Sequence, residues 1–158
     1  MNSSSAKKML IVAHSHGARI ALEATKRQAQ LSHSILSKIN LLMLAHSDVL
    51  REDIENRYKR ILSPLWHKVV SLSSLHDRVL RGKKVLISGR PSLGLSASRL
   101  PGGCVATLES ASHIAFAEDR RALRFIRSLF ETLSQGRRLV DHCPNGVVDL
   151  KGVTANAK

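Results

Sequence analysis

The sequence predicts an α/β fold with a mostly parallel sheet of about four strands and flanking helices. Short, continuous apolar runs alternate along the chain with segments of helical composition, a pattern typical of βαβ units. The runs lack polar alternation, as expected of strands that are covered on both faces. With 158 residues, of which 43% are hydrophobic, the chain has enough apolar material for one core but too little for two comfortable domains.

The first predicted unit is a strand that leads directly into a helix. Residues 9–13 (MLIVA) form an uninterrupted apolar run, which suits a buried strand. Residues 17–30 are rich in Ala, Leu, Glu, Arg and Gln, which favour helix. Ile20, Ala21 and Ala24 are expected to form the apolar face of this helix.

Three further runs predict strands at residues 39–45 (INLLMLA), 67–73 (HKVVSLS) and 104–108 (CVATL). Residues 49–61 carry Leu50, Ile54, Tyr58 and Ile61 at helical spacing, and Pro64 interrupts the chain after them. Residues 75–80 are expected to form a loop. Residues 82–103 are rich in Gly and Pro and predict a long connection, within which residues 84–88 (KVLIS) are a candidate short strand.

The last predicted element is a helix over residues 118–134. Its expected apolar face consists of Leu123, Ile126, Leu129, Phe130 and Leu133. The α/β domain is therefore predicted to span residues 7–134. A polar, Ser-rich and disordered segment at residues 1–6 would precede it, and a loose tail over residues 135–158 would follow it.

The formal net charge of +13 raises the expectation of an acidic or nucleic-acid partner. The charges are scattered along the chain, however, and only 3% of the residues are aromatic, so that a solvated basic surface is favoured over nucleic-acid binding. Arg120, Arg121, Arg124 and Arg127 form the densest group on one predicted helix. A non-catalytic basic module that binds nucleic acid or an acidic partner stays the alternative function.

Two cysteines, Cys104 and Cys143, are too few for a disulfide framework or a zinc site and fit a reducing compartment. No apolar run approaches the roughly 20 residues that a membrane span needs. The apolar stretch near the start is too short for the core of a signal peptide. These observations predict a cytoplasmic protein without a membrane span, and the sequence indicates no cofactor and no metal site.

Residues 13–17 (AHSHG) carry the pattern of a nucleophile elbow with Ser15 at its tip. This motif needs small residues two positions before and two positions after the nucleophile, because the backbone turns sharply there. Ala13 and Gly17 meet that requirement, with the apolar strand before and the Ala-rich helix after. The structural alternative is that Ser15 is only a helix N-cap.

A serine nucleophile needs a base to take its proton and an acid to orient that base. Asp77 follows the third predicted strand and His113 follows the fourth, so both are expected at the carboxyl edge of a parallel sheet. Asp48, after the second strand, is the alternative acid. Asp77 as an ordinary turn residue and His113 as a surface histidine are the structural alternatives.

Three segments, LIVAHSHGARIAL, VVSLSSLHDRVL and ATLESASHIAFAEDRRALRFIRSLF, together resemble the C-terminal half of an α/β-hydrolase, over roughly residues 7–134. The resemblance implies that Ser15 is the nucleophile, Asp77 the orienting acid and His113 the general base. It further implies that the backbone N–H of His16 supplies one oxyanion donor. The implied activity is hydrolysis of a small-molecule ester, thioester or amide by acyl transfer.

The family also has strands before the elbow strand and a loop there that supplies a second oxyanion donor, and residues 1–6 offer no counterpart. A truncated or inactive hydrolase is therefore the expectation. The elbow strand would lie at an exposed apolar edge, which predicts self-association through that strand.

Overall fold

A computed structural model describes residues 8–31, 34–60, 62–139 and 142–150. These residues form an α/β structure around a five-stranded sheet in which every neighbouring pair is parallel. The strands follow one another across the sheet in chain order, as β1 (Met9–His14), β2 (Ile39–Ala45), β3 (Val69–Ser74), β4 (Cys104–Leu108) and β5 (Val147–Asp149). The predicted fold class is confirmed, with one strand more than expected.

The helical elements lie between the strands and supply the two outer layers. They comprise α1 (Gly17–Leu31), α2 (Ser34–Lys38), α3 (Arg51–Asp53) with a π-helical turn (Ile54–Tyr58), a 3₁₀ turn (Ser63–Lys68), α4 (Arg78–Lys83) with a second π-helical turn (Lys84–Ser88), a short 3₁₀ turn (Leu93–Leu95), α5 (Ala115–Glu118) and α6 (Arg120–Ser134). None of the helices in the described parts of the chain combines the length and the apolar character needed to cross a membrane.

The central strands are buried on both faces. Alternate residues of β2 point into two different apolar clusters, so that Leu42 and Leu44 pack with α1 whereas Leu41 and Met43 pack with α6. This division explains why β2 reads as an uninterrupted apolar run. Among the described residues, strand β1 pairs with β2 alone and lies at one edge of the sheet.

The predicted apolar faces of the two long helices were partly wrong. In α1 the buried residues are Ala18, Leu22, Thr25 and Ala29, whereas Ile20 is 63% exposed. These buried positions follow a stripe of i, i+4, i+7 and i+11, which the sheet selects from several weak alternatives. In α6 the stripe is rotated similarly: Leu123 is exposed, while Ala122, Phe125, Leu129 and Leu133 face the sheet.

The region expected to hold a loop and a short strand is helical. Helix α4 begins after Asp77, whose Oδ1 accepts a hydrogen bond from the Leu80 N–H and caps the helix. The segment KVLIS, at residues 84–88, continues α4 as a π-helical turn and forms no strand. Its run of three apolar residues predicted a strand, but the segment has no strand neighbour in the sheet to pair with.

Part of the segment predicted as a loose tail packs on the sheet. Strand β5 pairs with β4, and a disulfide joins Cys143 to Cys104. The expectation of two reduced cysteines is thus wrong, because the β5 segment brings the two sulfurs together across 39 positions of sequence. The cytoplasmic location stays a prediction. The expected disorder of residues 1–6, and the end of the tail at residues 151–158, lie outside the described residues.

Candidate active site

The predicted strand–turn–helix is present, with Ser15 at the turn between β1 and α1. Ser15 has φ +51°, a left-handed conformation that costs about 1 kcal/mol or more in a residue with a side chain. Its N–H donates to the Ala45 carbonyl at 3.0 Å, and its carbonyl accepts from the Ala18 N–H at 3.1 Å. The backbone thus turns sharply at Ser15 while it stays anchored to the neighbouring strand and to the first turn of α1.

The steric reason expected for a small residue at position 17 does not hold among the described residues. A Cβ added to Gly17 would meet nothing within 4 Å. Ala13, in contrast, is buried at the end of β1. The tightest constraint of this elbow is therefore the positive φ of Ser15, and crowding around Gly17 contributes nothing to it.

A second strained residue, His46, lies beside the elbow and was missed by the sequence analysis. It follows β2 as Ser15 follows β1, and it has φ +45°. Its N–H donates to the Leu72 carbonyl at 2.8 Å, which repeats the anchoring of Ser15 one strand further along. Ser15 and His46 are the non-glycine residues with positive φ in the described chain, and such strain concentrates at functional sites.

Asp77 lies between His46 and His113 and is fully buried. Its Oδ2 accepts hydrogen bonds from His113 Nδ1 at 2.7 Å and from His46 Nδ1 at 2.8 Å. Its Oδ1 accepts from the Leu80 N–H at 3.0 Å. The carboxylate is thus held by three donors from three different elements, and the pairing of Asp77 with His113 is the one that the sequence analysis expected.

The environment of Asp77 favours the ionised carboxylate. Burial alone would raise its pKa, but the hydrogen bonds from His46, from the Leu80 N–H and from His113 together outweigh burial and lower the pKa to about 2. At neutral pH, Asp77 is therefore a buried anion. A buried anion of this kind can orient a histidine and stabilise its protonated form.

His14 connects the elbow to the loop that carries His113. Its Nε2 donates to the His113 carbonyl at 2.9 Å, and the two imidazole rings lie 4.7 Å apart between centroids. Phe116 packs against the His14 ring at 4.8 Å. These contacts hold His113 at the edge where Ser15 lies. Ser15 Oγ itself has no hydrogen-bond partner among the described residues.

The alternative acid, Asp48, is placed away from His113. Its Oδ2 contacts Lys83 Nζ at 2.7 Å and His16 Nδ1 at 3.1 Å. Burial opposes ionisation of Asp48, but the bonds from Lys83 and His16 outweigh it and hold the pKa below its usual range. Asp48 therefore fixes the His16 side chain, whose backbone N–H donates no hydrogen bond within the described parts of the chain.

His46, Asp77 and His113 also form a donor set of the kind that binds a divalent metal, with one ligand atom from each within 4.8 Å of the others. An ion bound to the Nδ1 and Oδ2 atoms would displace the two hydrogen bonds that join the histidines to Asp77. The donor set can therefore serve either a metal or a proton-transfer site, but not both at once.

The sequence analysis identified the elbow and the Asp77–His113 pair. His14, His46 and Lys83 acquire their contacts through the fold, although the position of His46 directly after an apolar strand, in parallel with Ser15, was a usable signal. Comparison with protein-family models, with curated proteins and with solved structures finds no match for this chain.

Proposed function

We propose that the protein is a serine hydrolase of the α/β-hydrolase type that cleaves a small-molecule ester, thioester or amide by acyl transfer. The observation that carries the proposal is the 2.7 Å hydrogen bond between His113 and the buried carboxylate of Asp77, at the same sheet edge as the strained Ser15. A histidine oriented in this way keeps its other ring nitrogen, Nε2, for the proton of a serine.

In the proposed reaction, Ser15 Oγ attacks the carbonyl carbon of the substrate while His113 Nε2 takes the hydroxyl proton. The carbonyl oxygen becomes an oxyanion, and the free N–H of His16 at the start of α1 supplies a donor to it. His113 then gives its proton to the leaving alcohol, thiol or amine, and an acyl-serine remains. A water molecule, deprotonated by His113, attacks that acyl group and regenerates Ser15.

His46 supports this chemistry through Asp77. Because it donates to the same Oδ2 as His113, it fixes the position of the carboxylate and helps to keep it ionised. His46 Nε2 is buried without a hydrogen-bond partner in the described structure, and this unsatisfied atom lowers the stability of the fold. We assign it the role of a positioning residue.

A fluorophosphonate probe tests the proposal directly, since it reacts with activated serines. We expect stoichiometric labelling of Ser15, located by peptide mass spectrometry, and complete loss of labelling in Ser15→Ala. Ser134→Ala is the matched control, because Ser134 is an exposed serine at the end of α6. A folded protein that stays unlabelled, or that is labelled at another residue, would reject the assignment.

The metal alternative is separated by the same assay. Labelling should be unchanged by a chelator and should decrease on addition of Zn²⁺, because an ion on Asp77 and His113 removes the base from Ser15. A chelator that abolishes activity towards an ester would instead favour a metal-dependent hydrolase.

The nucleic-acid alternative finds less support. Arg121 pairs with Asp119 and Arg127 pairs with Glu131, so that two of the four arginines on α6 have acidic partners within the same helix region. Self-association through the sheet edge is kept as a proposal. One side of β1 has no strand partner among residues 8–150 as described, and Leu10 and Val12 are exposed by nearly half. Gel filtration of Val12→Lys beside the natural chain tests it.

A further inference from the structure

A second candidate site lies at the amino edge of the sheet, opposite Ser15 and His113. A cavity of about 800 Å³ opens there among residues that directly precede or begin the strands. Lys8 precedes β1, Lys68 precedes β3, and Gly146 precedes β5. This volume lies within the range of about 300–1,000 Å³ that small-molecule sites occupy.

The described lining of this cavity is basic and contains no acidic side chain. Its cationic residues are Lys8, Lys68, Arg99, Arg137 and Arg138. The first four of these form no ion pair with a carboxylate in the described parts of the chain. Arg137 Nε donates instead to the amide oxygen of Gln135 at 3.1 Å, a neutral acceptor that leaves its charge uncompensated.

His67 also lines the cavity, beside one of its cations. Partial burial and the neighbouring Lys68 ammonium lower its pKa below the usual value. A bound anion would oppose the repulsion between Lys68 and a protonated His67. Like charges collected around one cavity repel each other unless a ligand of opposite charge neutralises them.

The remaining wall is apolar. It includes Leu100, Leu133 and Leu139 together with the Cys104–Cys143 disulfide. All three leucines are nearly buried, so this wall is a continuation of the core. Apart from the imidazole of His67, no aromatic ring lines the cavity in the described residues, and a nucleobase would therefore lack a stacking surface.

We propose that the amino-edge cavity binds a small amphiphilic anion, with a phosphate or carboxylate head group among the basic side chains and an aliphatic body against the leucines. Arginine and lysine recognise both types of head group through charge-assisted hydrogen bonds. This site is independent of the proposed hydrolase chemistry, because it shares no residue with the cluster of Ser15, Asp77 and His113.

Isothermal titration calorimetry with octyl phosphate and octanoate, each below its micellar concentration, tests the proposal. We expect at least one of them to bind at one site per chain, and the tighter one identifies the head group. Octanol and inorganic phosphate should each bind at least about tenfold more weakly than the tighter probe, since each lacks one half of the ligand.

The variant Lys68→Gln/Arg137→Gln should weaken the binding about tenfold or more, whereas Arg124→Gln, on an exposed part of α6 outside the cavity, should not change it. Ser15→Ala should bind as the natural chain does, which separates this result from the fate of the hydrolase proposal. The inference is overturned if neither probe binds, if octanol or inorganic phosphate binds equally well, or if Arg124→Gln loses as much affinity as Lys68→Gln/Arg137→Gln.

Discussion

The two edges of the sheet handle charge in opposite ways. At the carboxyl edge, the anion of Asp77 is buried and satisfied by His46, His113 and the Leu80 N–H. At the amino edge, Lys8, Lys68, Arg99 and Arg137 line an open cavity and form no ion pair with a carboxylate in the described residues. The polar groups of the carboxyl edge therefore position one another, whereas the basic groups of the amino edge are available to a ligand.

The largest effect is expected from Asp77→Asn at the carboxyl edge. Asparagine still caps α4 through its oxygen, but its amide nitrogen cannot accept the hydrogen bond from His113 Nδ1. The wrong tautomer of His113 then faces Ser15, and the rate of fluorophosphonate labelling should fall by about 10⁴. Rapid-quench labelling measures this rate.

Asp48→Asn is the matched control for that experiment, because Asp48 is the buried acid of the neighbouring strand end and contacts His16 and Lys83 instead. Its labelling rate should stay within about tenfold of the natural chain. A larger loss in Asp48→Asn than in Asp77→Asn would transfer the role of the orienting acid to Asp48.

The amino edge is expected to depend on its disulfide. The Cys104–Cys143 bond closes a loop of 39 positions, and loop-closure entropy for that length corresponds to about 4 kcal/mol of stability. Reduction should therefore lower the free energy of unfolding by about that amount, as measured by urea denaturation with and without reductant. Cys143→Ala is the control, since reductant should no longer affect it.

Labelling of Ser15 under reducing but folded conditions sharpens the comparison of the two edges. Its rate should be unchanged, because the disulfide lies among the residues of the amino-edge cavity, far along the strands from Asp77. Parallel loss of labelling and stability on reduction, well before unfolding, would show that the two edges are coupled.

The buried carboxylate of Asp77 at the carboxyl edge is expected to make the stability of the fold depend on pH in the acid range. The pKa of Asp77 is lowered to about 2 in the folded chain, against an ordinary value of 3.8, so Asp77 stabilises the fold above about pH 4. This contribution, about 2 kcal/mol, is lost as the pH falls from 4 through 2. Urea denaturation between these pH values should show a steeper loss in the natural chain than in Asp77→Asn; equal slopes would contradict the buried ionised carboxylate.

The sequence predicted β1, α1, β2 and β4 nearly to the residue, because each is a local apolar or helix-favouring run that the sheet then buries. The start of β3 was placed two residues early, since His67 and Lys68 complete a 3₁₀ turn. Strand β5 was missed for a different reason. Three residues carry no periodic signal, and their strand conformation comes from pairing with β4 beside the disulfide.

For the site, the sequence indicated the order Ser15, Asp77, His113 and the strand end on which each lies. It gave no sign that His46 shares the carboxylate, because that contact joins the residue after β2 to the N-cap of α4, 31 positions away, and no motif spans it. The amino-edge cavity was not predicted from the sequence either. Its basic residues are scattered from Lys8 to Arg138 and converge only where parallel strands begin.

The smallest predicted effect concerns the strain at the elbow. Because Ser15 has φ +51°, a glycine there relieves the clash between Cβ and the backbone, whereas alanine keeps it. Ser15→Gly should therefore be more stable than Ser15→Ala by up to about 1 kcal/mol, even though glycine also gains entropy in the unfolded chain.

Gly17→Ala, where the added Cβ meets open space within α1, should be neutral or slightly stabilising. Thermal unfolding of the three variants orders them. If Ser15→Ala proves at least as stable as Ser15→Gly, the elbow carries no such strain, and the likeness between Ser15 and His46 as strained strand ends loses its physical basis.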